Sequence, residues 1–85
     1  MGSQSRKPKQ HLSFHVEEQK PKTVVVGVHN RLTGERIGKI AWYGPFRAYV
    51  LYPNEDTVWS AGCLAEAVVE IDRMMVERRS AKGET

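Results

Sequence analysis

Ile37-Gly38-Lys39-Ile40-Ala41-Trp42-Tyr43, then Gly44-Pro45, then Phe46-Arg47-Ala48-Tyr49-Val50-Leu51-Tyr52-Pro53 is the stretch that decides the fold. Two short runs rich in β-branched and aromatic residues flank a Gly-Pro pair. Such side chains fit a pleated surface, and Gly-Pro breaks the run into a turn, so the stretch predicts a β-hairpin. Both Trp, all three Tyr and one of the two Phe fall between Ile37 and Leu64, so the core is expected to concentrate here.

Upstream, Thr23-Val24-Val25-Val26-Gly27-Val28-His29 is nearly continuous in β-branched residues. A strand of that kind meets neighbours on both faces. Asn30 to Arg36 is turn-forming, with Gly34 free to take positive φ. Downstream, Ser60 fits a helix N-cap, with Trp59 and Leu64 placed as a hydrophobic staple. Leu64, Ala67, Val68, Ile71, Met74 and Met75 form an i, i+3, i+4, i+7 stripe, with Glu66, Glu70, Arg73 and Glu77 on the other side. The Glu70–Arg73 and Arg73–Glu77 spacings suit surface ion pairs. From Ala61 to about Ser80 the helix is roughly 30 Å long.

The expected fold is α+β: a three-stranded antiparallel β-meander with one C-terminal α-helix packed on one face. Leu12, Phe14 and Val16 alternate with polar residues. Residues 11–19 therefore read either as a fourth, N-terminal edge strand or as a tail that orders on a partner. The expected organisation is a basic, largely flexible arm over 1–22, a single β-β-β-α domain over 23–80 and a disordered tail over 81–85.

Strand alternation assigns faces, given an even Gly-Pro loop. Gly38, Ile40 and Trp42 share one face with Arg47, Tyr49 and Leu51. Ile37, Lys39, Ala41, Tyr43, Phe46, Ala48, Val50 and Tyr52 share the other. The first set has the larger central groups, so the helix is expected there, with Trp42 and Arg47 stacked as a cation–π pair. The second face stays rich in apolar groups. Either the 11–17 segment, a second copy or another partner covers it, or it is an exposed interaction patch.

The chain has 85 residues, 40% of them hydrophobic and 27% charged, with a net charge of +3. That suits one small domain. Residues 1–22 and 23–53 each carry +3, and residues 54–85 carry −3. A basic arm and sheet set against an acidic helix favour an anionic partner. The lone Cys63 excludes an internal disulfide and suits a reducing compartment. No apolar run approaches a membrane span, and no apolar segment follows the basic N-terminus, so neither a membrane anchor nor a signal peptide is expected. Cytoplasm is the expected location.

Catalytic chemistry finds no foothold. No nucleophile elbow, phosphate loop or dinucleotide fingerprint is present. His11, His15 and His29 have no partners at metal-ligand spacing, and Cys63 reads as a small buried hydrophobe. No cofactor, metal, membrane or small-molecule substrate is expected. Arg36, Lys39 and Arg47, near Trp42, Tyr43 and Tyr52, combine positive charge with flat rings, the mixture that phosphates and bases reward.

Gly38-x-Ile40-x-Trp42-Tyr43, Phe46-Arg47-x-Tyr49-Val50-x-x-Pro53 and Thr57-Val58-Trp59-x-x-x-Cys63-Leu64 resemble a group of small proteins encoded by phages and prophages, over roughly residues 36–70. That resemblance implies context and no particular activity. The topology also resembles the β-β-β-α DNA-binding domains of tyrosine recombinases and of some plant transcription factors, which read a groove with the face opposite the helix. Carried onto this chain, that face presents Lys39, Tyr43 and Tyr52, with Arg31 and Arg36 at the turn. The sequence departs from such readers at Ala41, Ala48 and Val50, which are apolar.

Two functions are expected of such a chain. The first is nucleic-acid binding through Arg31, Arg36, Lys39 and Arg47 with the arm residues Arg6, Lys7 and Lys9. The alternative is a protein–protein module, or an inhibitor of a host protein, acting through Ile37, Ala41, Tyr43, Val50 and Tyr52 on a host protein or on a second copy of itself.

Overall fold

A computed structural model describes residues 10–83, with side chains through residue 80. Four strands, β1 (Leu12–Gln19), β2 (Val24–Asn30), β3 (Arg36–Tyr43) and β4 (Ala48–Pro53), form one antiparallel sheet in chain order. One helix, α1 (Ala61–Gly83), packs against it. The α+β meander with a C-terminal helix is the architecture expected, and the alternating 11–19 segment is its fourth, edge strand.

Leu12 explains why β1 belongs to the domain: it is 2% exposed and shares the core with Val26 and Val28, with Phe14 packed beside it. The helix also holds the strand by its backbone. The Glu66 carboxylate accepts hydrogen bonds from the His11 N–H at 2.8 Å and the Leu12 N–H at 3.0 Å. The domain therefore includes β1, and the boundary expected at residue 23 is corrected. Residues 11–19 contribute few apolar side chains, and the tie through Glu66 joins residues separated by 54 and 55 positions, beyond any local pattern. Arg6, Lys7 and Lys9 lie outside the described residues, as do residues 84 and 85.

The turns follow local chemistry. The Asn30 side-chain oxygen accepts from the Leu32 and Thr33 N–H groups, and Gly34 takes φ 81° to close the β2–β3 turn. The β3–β4 connection is a short 3-10 turn over Gly44–Phe46, entered through Pro45 and left through Arg47 in the left-handed region.

The register places Ile40 between Val26 and Leu51, and Trp42 opposite Tyr49. These side chains lie under the helix, the face expected for it. Trp42 and Tyr49 meet edge-on at 5.3 Å, and the Tyr49 hydroxyl accepts the Val24 N–H at 3.2 Å. Gly38 lets β4 and the Trp59 ring close over this end: a Cβ there would sit 2.9 Å from the Tyr52 carbonyl and 3.2 Å from Trp59 Cζ2.

Face parity fails at one residue. Gly38 pairs with Val28 but Arg36 pairs with His29, so β3 carries a bulge at Ile37. The extra residue turns Ile37 inward, where it is 5% exposed and joins the core. Ile37 therefore drops out of the outer face to which alternation assigned it.

Ser60 caps α1 as expected, accepting the Cys63 N–H at 3.1 Å. The helix is rolled relative to the expected stripe. Ala67 and Met74 are buried and Cys63 and Ile71 pack on the core, whereas Leu64 and Val68 are 47% and 55% exposed. Two polar anchors set that roll. Glu66 reaches the start of β1, and Arg78 stacks on Trp42 with its guanidinium 4.0 Å from the ring centre. Arg78, not Arg47, is thus the cation on Trp42. It also donates to the Lys22 carbonyl at 2.7 Å, tying the helix to the β1–β2 turn.

Candidate interaction surface

The sheet face away from the helix is built in rows. Tyr43 lies opposite Ala48, Ala41 opposite Val50, and Lys39 between Gly27 and Tyr52. Val25, one residue from the inward-facing Val26, extends the Ala41–Val50 row onto β2. The middle of the face is therefore aliphatic. At one end Tyr43 and Phe46 pack edge-on at 4.9 Å, with Phe46 70% exposed. The aromatic pair prolongs the aliphatic row toward the β3–β4 turn.

The opposite end is polar but largely self-satisfied. Arg36 grips Glu17 through two hydrogen bonds, Nε to Oε2 at 2.6 Å and a second guanidinium nitrogen to Oε1 at 2.8 Å. The Arg36 hydrogen bonds hold the Glu17 carboxyl below the usual glutamate range, and Glu17 in turn raises Arg36. Glu17 reaches across β2 because Gly27 has no side chain; a Cβ there would occupy the place of the carboxylate. Lys39 lies 5.4 Å from the Tyr52 ring centre. His15 and His29 meet edge-on at 5.1 Å.

The basic residues singled out in the sequence do not converge. Arg36 and Lys39 share the outer face, with Arg36 neutralised by Glu17. Arg31 sits in the β2–β3 turn and donates to Gln10. Arg47 sits in the β3–β4 turn at the far end of the hairpin. The apolar set behaves differently: Ala41, Tyr43, Val50 and Tyr52 do share one face, without Ile37. Val25 and Phe46 belong with them. Phe46 carried the right parity, and Val25 was hidden inside a run that is apolar throughout.

The sheet edges are partly guarded against strand addition. On β1 the bulge between Val16 and Glu18 and the charges of Glu17 and Glu18 discourage strand addition. On β4 the Tyr49 N–H is already donated to Met75 Sδ at 3.4 Å, and Pro53 ends the strand. A second apolar surface runs along the outside of α1, where Leu64, Val68, Val69 and Val76 are exposed.

Among the described residues no group of three or more His, Cys, Asp or Glu is placed to hold a metal ion. Cys63 is half-buried beside the core. No described helix is long and apolar enough to cross a membrane. None of the family models, curated proteins or solved structures compared with the chain matches it.

Proposed function

We propose that the chain is a non-enzymatic protein-interaction module that docks a protein partner on the sheet face opposite its helix. The observation that carries this reading is the apolar and aromatic row of Val25, Ala41, Val50, Tyr43 and Phe46, half-buried along the strands and exposed at Tyr43 and Phe46. Exposed patches of this kind mark contact surfaces. Tyr43, Phe46 and Tyr52 supply the rigid, partly polar rings that anchor such contacts. Nucleic-acid binding through this face ranks second, because Arg36 is spent on Glu17 and Arg31 and Arg47 stand at opposite ends of the hairpin. The likeness to small phage and prophage proteins suits a module that acts by binding.

The test is photo-crosslinking from position 50 in the native host of the gene, with position 32, in the exposed β2–β3 turn, as control. The reading expects a discrete protein adduct from position 50 that persists in high-salt lysis and disappears when Ala41 is changed to Asp. Nucleic-acid adducts from position 50, or equal yields from both positions, would overturn it.

A further inference from the structure

We infer that the tip of the β3–β4 hairpin, where Arg47, Gly44 and Trp42 meet Arg78 of α1, is a binding site for a phosphate monoester on a small molecule. These residues line a single open hollow of about 490 Å³. That volume falls within the range of small-ligand sites. No carboxylate lines it.

Two of the other arginines are matched by carboxylates, Arg36 by Glu17, and Arg73 by Glu70 and Glu77. Among the described residues Arg31 and Arg79, like Arg47 and Arg78, form no ion pair, but Arg31 and Arg79 line no shared hollow with a second arginine. Two arginines lining one hollow without a counter-ion suit an anion with several acceptor oxygens. A phosphate monoester meets that requirement, since its three terminal oxygens accept from both forks at once.

The two cations are held differently. Arg78 is fixed by its ring contact with Trp42 and its bond to the Lys22 carbonyl. It also lies near the negative end of α1, which favours its charge. Arg47 is held by its backbone, at φ 53° and ψ 47°, with its N–H donated to the Gly44 carbonyl. A left-handed residue in a tight turn is ordinarily glycine, because a Cβ is strained there. The only other non-glycine in that region among the described residues is Asp56, a type that tolerates it. Placing arginine at Arg47 costs stability, and strain of this kind gathers at binding sites.

The substitution Arg47→Gly separates function from folding, because it relieves the backbone while removing the charge. Backbone amide and arginine side-chain NMR signals would be followed during titration with inorganic phosphate and with adenosine monophosphate, against sodium chloride at matched ionic strength. The proposal expects saturable shifts confined to Trp42, Gly44, Arg47 and Arg78, weakened about tenfold or more in Arg47→Gly and unchanged in Arg31→Gln. Saturation by adenosine monophosphate at lower concentration than by phosphate identifies a phosphorylated small molecule as the source. Linear shifts, shifts reproduced by chloride, or equal binding by Arg47→Gly would overturn it.

Discussion

Gly38→Ala tests the packing on which the whole hairpin depends. The new methyl would lie 2.9 Å from the Tyr52 carbonyl oxygen, 3.2 Å from Pro53 Cα and 3.2 Å from Trp59 Cζ2. The first two atoms are β4 main chain and cannot swing aside as a flexible side chain would. Relief requires β4 to separate from β3 or Trp59 to leave its seat, and overpacking of this kind costs about 2–3 kcal/mol. Alanine regains about 0.5–1 kcal/mol over glycine in an extended strand. The net loss is then about 1–2.5 kcal/mol, which for a domain of this size lowers Tm by roughly 10 °C. Thermal unfolding followed by tryptophan fluorescence measures it, with Gly44→Ala as the control, since a Cβ at Gly44 meets nothing within 4 Å. An unchanged or raised Tm for Gly38→Ala would refute the claim that backbone and indole close on that position.

Glu66→Ala removes the acceptor for the His11 and Leu12 N–H groups. It is expected to cost about 1–2 kcal/mol and to speed amide exchange in residues 11–16 more than in β3. Tyr49→Phe leaves the Val24 N–H without its acceptor, and denaturant unfolding should show a loss of about 1–2 kcal/mol. The Glu17 carboxyl is held low by Arg36, so its contribution is present above the ordinary glutamate pKa and is lost as pH falls through the lowered folded value. Both groups are partly exposed, so the effect is at most about 1 kcal/mol. Comparing Tm at neutral and strongly acidic pH, Glu17→Gln should lose less on acidification than the unaltered chain.

Much of the fold is legible in short patterns. The hairpin around Gly44-Pro45, the Ser60 cap and the identity of the helix-covered face follow from alternation and side-chain size. What escapes has a common physical origin in contacts between residues distant in sequence. The Ile37 bulge changes parity by one residue and leaves no compositional mark. The roll of α1 is set by Glu66 and Arg78, whose partners, His11, Leu12, Trp42 and Lys22, come from other elements. A helix apolar around most of its circumference does not declare which side faces inward, and polar anchors decide it. The basic set does not assemble for a related reason: Arg36 and Lys39 are near Arg47 in sequence, whereas the hairpin carries Arg47 to its tip. The apolar outer face survived because it depends only on strand alternation beyond the bulge.

The most direct test of the interaction surface is sedimentation velocity of the protein with a mixed-sequence DNA duplex at low and moderate salt, run alongside Lys39→Glu and Val50→Asp, with the position-50 crosslinked partner as the third component. The account predicts no co-sedimentation with DNA that depends steeply on salt. It also predicts that association with the crosslinked protein, or with a second copy if that is the adduct, withstands salt and Lys39→Glu and is lost in Val50→Asp. A DNA complex that vanishes as salt rises and is abolished by Lys39→Glu while Val50→Asp leaves it intact would contradict the account.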